Sequence, residues 1–343
     1  MRSNFLQKPR LGLEQSIAYL PEGRRHNAWA ELGRARERER HRVESDQNEL
    51  TDKMEELKAF AAFLPPPYWE NRRVDQVSNW RQPYKLIRES DATMAEFQAL
   101  IDHTCISENL GRGQNQLERG RYSRLKVESV DRCENLLLWN RFKATLATHQ
   151  LTREMIGSDS ATSVQTQINE RAMMEDHNTL RERSQLLRPQ VNELFLFHGT
   201  SEANSKHIFS GGHNERFANS GLCACFVSLL SRMHTVLIPS CLCTDGQGNY
   251  FAENASKSDQ YCTSSAGDDA DAFFLILARV CMGSHPYESA TTNRDLRMPP
   301  ECPGPGGMRH TSVIGNHGVH REFIVYDGMQ AYPEYLIRYS RRW

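Results

Sequence analysis

The sequence predicts an α+β fold, with helices drawn mainly from the first half and an antiparallel or mixed β-sheet from the second. Three observations predict it. Apolar residues recur every seven positions between residues 28 and 64, the period of a helix that presents one seam. Apolar positions return at helical spacing around residues 97 and 139. From Val191 the pattern changes. Short apolar runs ("LFLF", "AFFLILARV", "EFIVYD", "EYLIRY") alternate with loops rich in Gly, Ser and Asn, as strands joined by turns do.

The first seam is Val43, Leu50, Leu57 and Leu64, with Met54 and Ala61 on the same side. Two or three heptads are short for an independent coiled coil. Packing against the protein's own body is therefore favoured over self-association through helix 28–64. "PPPYW" at residue 65 ends this helix, because consecutive prolines cannot continue it. A linker-like stretch leads to "MAEFQALIDHTCI", a helix with Phe97, Leu100 and Ile101 on one face. "SRLKVESV" alternates Leu125 and Val127 with polar residues and reads as a strand. "CENLLLWNRFKATLAT" follows as a helix carrying Leu137, Trp139, Phe142 and Leu146. Residues 157–190 are polar and read as loop plus an exposed helix.

With 343 residues there is room for one large domain and an appendage. The division expected is an N-terminal helical and linker region over 1–91 and a main domain over 92–343. A net charge of -1, from 42 basic and 43 acidic residues, exerts no global pull on nucleic acid or anionic membrane. In "RARERERHR" the basic residues interleave with acidic ones, as on a solvated helix face. No window approaches the roughly 18 apolar residues of a membrane span. Nine cysteines without a secretory leader read as mostly reduced thiols of an intracellular protein, cytoplasmic or nuclear.

Three motifs carry the chemistry. "LFLFHGTS" places His198, Gly199 and Thr200 at the end of a buried strand, where backbone groups can meet a ligand closely; a structural histidine is the plain alternative. "GQGNYFAENASKSDQY" supplies Tyr250, Lys257, Ser258 and Tyr261. Two tyrosines flanking a short Ser/Lys loop can sandwich a flat ring, or Tyr250 can be core. "HREFIVYDGMQAYPEYLIRY" puts Glu322 at the head of an apolar strand, with Phe323 and Val325 pointing one way and Glu322, Ile324 and Tyr326 the other. A carboxylate there is costly unless something binds it, or else it lies at a solvated edge.

Together, in this order, the motifs resemble the catalytic domain of the poly(ADP-ribose) polymerases, the diphtheria-toxin-like ADP-ribosyltransferases. The wording of the last two looks closest to tankyrases and related members. The resemblance is strongest over 191–343 and reaches back more loosely to about residue 92. It implies split antiparallel or mixed β-sheets with flanking helices, preceded here by the N-terminal helical segment, and NAD+ as co-substrate. The family's His–Tyr–Glu triad would be His198, Tyr250 and Glu322, and His198, with Thr200 beside it, would meet the adenosine ribose. The Gly199 backbone and the Ser258 hydroxyl would hold the nicotinamide carboxamide. Tyr261 would stack on the nicotinamide ring, with Tyr250 as the opposite wall. Glu322 would be the catalytic glutamate, supported by Lys257. Protein acceptors, the chain itself included, are the partners implied. Neither a metal, nor a nucleic-acid partner, nor DNA-dependent activation is expected.

One stretch departs from the family. Between "NERFANSGL" and "GQGNYFAE", residues 223–245 lengthen the loop expected to lie over NAD+ by roughly twenty residues, where most loops are short. The stretch can be an added lid, a metal site built from Cys223, Cys225, Cys241 and Cys243, or a segment foreign to the domain, such as a retained intron. Its apolar, patternless composition favours the last, and paired C-x-C fits tetrahedral zinc poorly. Two main functions follow. The domain is an active transferase, mono or poly, or a catalytically silent relative that binds NAD+ or ADP-ribose. NAD+ glycohydrolysis is a weaker third.

Overall fold

The computed structural model describes residues 17–18, 21–71, 83–106, 110, 122–156, 162–172, 174, 178–214, 245–264, 271–303, 307–316 and 320–343. The stretch 223–245 lies outside the described residues, save Asp245. So do the side chains of Leu50, Met54, Leu57 and Ala61.

The described residues divide into two compact units, Met1–Leu64 and Pro65–Trp343. The first is dominated by one helix, α1 (Glu22–Phe63). It starts six residues earlier than the heptad seam suggests, directly after Pro21, whose carbonyl accepts from the N–H groups of Arg24 and Arg25. Val43 and Leu64 are exposed.

The second unit runs β1 (Lys85–Arg88), α2 (Asp91–Thr104), β2 (Arg124–Glu134), α3 (Leu136–Ile156), α4 (Gln167–Ala172), α5 (Asn178–Ser184) and β3 (Glu193–Thr200). It continues through α6 (Glu202–Gly211), β4 (Asn249–Ala252), α7 (Ala255–Asp259), β5 (Phe273–Cys281), β6 (Pro286–Ser289), β7 (Ser312–Gly315), β8 (Glu322–Val325) and β9 (Ala331–Arg342). The strands lie in the order β1-β2-β9-β5-β3-β4-β8-β7-β6. All pairings are antiparallel except β6 with β7. The split expected of the fold is the β3–β4 junction, where a single residue pair, Phe197 with Ala252, joins the five-stranded and four-stranded halves.

Side-chain alternation divides the core between the two faces of the sheet. On one face Phe195, Phe197, Leu275, Leu277, Tyr335 and Ile337 pack with Phe97, Leu100 and Ile101 of α2. On the other, Leu194, Leu196, Ile276, Phe251 and Phe323 pack with Phe209 of α6. A third cluster joins Trp69, Leu138, Trp139, Phe142 and Tyr332.

Four expectations need correction. Where residues 157–190 are described, they form two short half-buried helices rather than one exposed helix. These helices, α4 and α5, bury Ile168, Ala172, Leu180 and even Arg183, whose guanidinium is paired with Glu89 and Tyr335. Leu137 is exposed while Leu136 and Leu138 are buried, because α3 begins at Leu136 and sets a different phase. The linker-like stretch contributes strand β1, paired with β2. "PPPYW" does more than stop a helix, since Trp69 is buried against Trp139 and Tyr332.

Candidate active site

The site is built where the sheet nearly comes apart. Past Phe197, strand β3 keeps its partner β5, with His198, Gly199 and Thr200 opposite Ile276, Leu275 and Phe274. On its other edge the ladder to β4 stops. His198 bridges the gap, its Nδ1 lying 2.9 Å from the Tyr250 carbonyl. A carbonyl only accepts, so Nδ1 carries the hydrogen, and a neutral ring then offers Nε2 as an acceptor. Burial pushes His198 below the usual histidine range, opposed by the bond to Tyr250, and keeps the ring neutral near pH 7.

Helix α7 closes against this edge. Ser258 Oγ donates to the Phe197 carbonyl at 3.1 Å. Successive residues of a strand turn their polar groups to opposite edges, so Gly199 presents its N–H and C=O on the same side as Phe197. The approach requires glycine at 199, where a Cβ would stand 1.9 Å from the Ser258 carbonyl oxygen. The far end of α7 is fixed by Asp259, which accepts from Tyr122, Tyr339 and Arg341.

Tyr250 is held by its hydroxyl, which donates to the Gly246 carbonyl at 2.7 Å and accepts from the Asp245 N–H at 3.1 Å. That turn depends on Gly246, at φ 77°, where a Cβ would meet the Leu296 carbonyl oxygen at 2.0 Å. Tyr250 thus ties the end of the long loop to the strand that carries it.

Glu322 lies opposite Ala252, on the far side of β4 from Phe197. It is 7% exposed and paired with Lys257 Nζ at 2.7 Å. The Lys257 ammonium also lies 5.4 Å from the centre of the Tyr261 ring. Desolvation works against the charged lysine, but Tyr261 and Glu322 outweigh it and hold Lys257 above its usual range. Two further cross-links run beside this pair. Arg321 clasps Glu253 through Nε and Nη2, and His320 Nδ1 meets Asn254 Oδ1 at 3.2 Å.

A neutral histidine, glycine backbone groups, two tyrosines and a lysine-paired buried glutamate are thus linked by contacts along the edge where the sheet splits. The family model of the poly(ADP-ribose) polymerase catalytic domain matches residues 109–341. The chain belongs to that family. Among its relatives, mouse (Mus musculus) protein mono-ADP-ribosyltransferase PARP12 is 34% identical over 95 residues, 28% of this chain and 12% of the relative. Human (Homo sapiens) protein mono-ADP-ribosyltransferase PARP14 is 24% identical over 222 residues, 64% of this chain and 9% of the relative. Human protein mono-ADP-ribosyltransferase PARP11 is 23% identical over 295 residues, 80% of this chain. The chain spans 63% of PARP11 and about an eighth of PARP12.

Within this polymerase-type fold, His198, Gly199, Tyr250, Ser258 and Glu322 all lie on or beside the β3–β4–β8 ribbon. Lys257 reaches Glu322 directly rather than lying in solvent. Ser258 spends its hydroxyl hydrogen on Phe197, so its oxygen is what it offers outward. Thr200 is buried at the end of β3, beside the Ser201 cap of α6. Sequence reasoning did not single out Glu253, Asn254, His320 and Arg321, whose pairing brings the residues before Glu322 against the start of α7. Their one sequence signal is position, next to Ala252 and Glu322. Among the described residues no group of three or more His, Cys, Asp or Glu could hold a metal, and no helix is long and apolar enough to cross a membrane.

Proposed function

We propose that the domain transfers ADP-ribose from NAD+ to protein side chains, its own among them, with release of nicotinamide. The observation that carries this reading is Glu322, a buried, lysine-paired carboxylate one strand away from the open edge of β3. In NAD+ the glycosidic nitrogen is already cationic, so nicotinamide departs neutral with the bonding electron pair and no general acid is required. The ribose carbon passes through an oxocarbenium-like state, as in glycoside cleavage. Glu322 hydrogen-bonds the neighbouring ribose hydroxyl, stabilises the growing positive charge and orients the incoming nucleophile. Gly199 and Ser258 clamp the carboxamide and fix the rotation of the glycosidic bond. Tyr261 stacks on the nicotinamide, with Tyr250 opposite. Lys257, paired with Glu322, holds that carboxylate in place. His198 Nε2 accepts from the adenosine ribose.

Incubation with labelled NAD+ tests this. Label is expected on the wild-type protein and is expected to fall about 100-fold or more in Glu322→Gln, with NAD+ still bound. A single modified species or a ladder reads the product's chain length. Nicotinamide release without label on protein would replace the reading by a glycohydrolase, and binding without turnover by a silent relative.

A further inference from the structure

His213 is a second histidine, buried beside His198, and no part of the proposed chemistry uses it. It follows α6 in the run "IFSGGHN", where the helix ends at Gly211. Gly212, at φ 88°, turns the chain there while its N–H bonds the Ile208 carbonyl at 2.9 Å. The turn delivers His213 onto the face of the sheet that carries His198 and Phe251. The His213 ring lies edge-on to both, with centroids 5.0 Å from His198 and 5.0 Å from Phe251. From behind, Gly328 is packed so closely that a Cβ there would stand 1.8 Å from the His213 carbonyl oxygen.

The ring is 5% exposed, and its Nε2 has no hydrogen-bond partner among the described residues. A buried, unbonded imidazole nitrogen carries a desolvation cost that a hydrogen bond offsets. A phenylalanine of nearly the same shape would pack against His198 and Phe251 without that cost, so ring packing alone does not account for histidine here. The ring that carries this atom packs edge-on against His198, the side chain that the proposed function assigns to the adenosine ribose. A neutral imidazole nitrogen can donate or accept and so can match a hydroxyl of either polarity.

We propose that His213 is a dinucleotide-binding residue, its Nε2 hydrogen-bonding the adenosine-ribose end of bound NAD+ alongside His198. The inference rests on the NAD+ site proposed above and adds to it a residue that selects for the adenosine ribose. It separates two kinds of ligand. Those with that ribose, NAD+ and ADP-ribose, use His213, and nicotinamide does not.

The test is calorimetric titration of the full chain with NAD+, ADP-ribose and nicotinamide, using wild type, His213→Phe and His213→Gln. Loss of one hydrogen bond predicts NAD+ and ADP-ribose binding weaker by about fivefold to tenfold in His213→Phe, with nicotinamide binding unchanged. His213→Gln, whose amide reaches about as far as Nε2, should recover part of the loss, and it carries the test if the phenylalanine variant does not fold. Unloaded His213→Phe should melt no lower than wild type. Undiminished NAD+ and ADP-ribose binding in His213→Phe would overturn the proposal, as would an equal loss for all three ligands, which marks a packing role. A wild-type protein that binds neither NAD+ nor ADP-ribose would instead overturn the function on which the proposal rests.

Discussion

Gly199→Ala is the sharpest test of the geometry at the split. A Cβ at 199 would lie 1.9 Å from the Ser258 carbonyl oxygen and 2.8 Å from its carbon, where ordinary contact begins at 3.4 Å. Both obstacles are backbone, so no side chain can rotate away. Strand β3 is held on its other edge by β5 through eight residue pairs and cannot retreat. Helix α7 must therefore move outward by roughly 1.5 Å, the shortfall in that contact. Such a shift breaks the 3.1 Å bond from Ser258 to Phe197 and draws Lys257 away from Glu322. Overpacking of this kind costs about 1–3 kcal/mol of stability, while misplacement of a reacting group by about 1 Å costs on the order of 100-fold in rate. The variant should thus remain folded but lose most ADP-ribosylation, read as protein-bound label from NAD+ beside a thermal melt. Gly211→Ala is the control, because a Cβ there meets nothing within 4 Å. Wild-type labelling by folded Gly199→Ala would refute the close approach of α7 as the basis of the site.

The remaining predictions concern what holds the domain. Arg279 is fully buried between Glu193 and Glu334, so Arg279→Leu strands two carboxylates and should cost about 3–5 kcal/mol in denaturant unfolding. Trp69→Ala opens a cavity against Trp139 and Tyr332 and should cost a similar 3–5 kcal/mol, although Trp69 precedes the family's matched span. Burial holds both His198 and His213 below the usual 6.5, so the unfolded chain binds protons first as the pH falls. Their contribution is present above about pH 6.5 and lost below it, at up to about 1.4 kcal/mol per pH unit per ring. Unfolding at pH 7.5 and 5.5 should show this loss, and His213→Phe should reduce it; an unchanged pH dependence would contradict neutral burial of His213.

The residues of the candidate site that the sequence singles out are those whose chemistry is local. His198–Gly199–Thr200, Tyr250, Lys257–Ser258, Tyr261 and Glu322 each stand inside a short motif that keeps strand, turn and functional side chain together. What was not legible is assembled from distant residues. Tyr68 donates to Glu334, Arg279 Nη2 donates to Tyr68 at 3.0 Å, and Arg183 and Arg132 both pair with Glu89. Each of these charges reads as a solvated surface residue by itself, and only the fold shows that they neutralise one another. The phase of α3 was misjudged for a related reason. Three consecutive leucines at 136–138 fit any helical phase, and packing against Trp139 and Tyr332 chose between them. Strand β1 is only four residues long and mostly exposed, so it has no alternation to read.

The single pair between β3 and β4 explains why a strong sheet former such as "LFLFHGT" can also leave an open edge. A complete ladder would use the outward N–H and C=O groups of Gly199 in pairing. Here the ladder ends at Phe197, and a side chain, His198, supplies the next cross-strand bond to Tyr250. That substitution keeps the part-buried Tyr250 carbonyl satisfied, and it fixes which imidazole nitrogen is left as an acceptor. On the proposed reading, structure and chemistry are coupled in one residue: removing the ring of His198 takes away a link between the half-sheets, beside the Phe197–Ala252 pair, and the acceptor for the ribose. On the four-stranded half, Glu322 depends in the same way on Lys257, which compensates its buried charge while lying over the ring of Tyr261. This edge is held by side chains that the proposed reaction also uses, so replacing any of them shifts the geometry of the others.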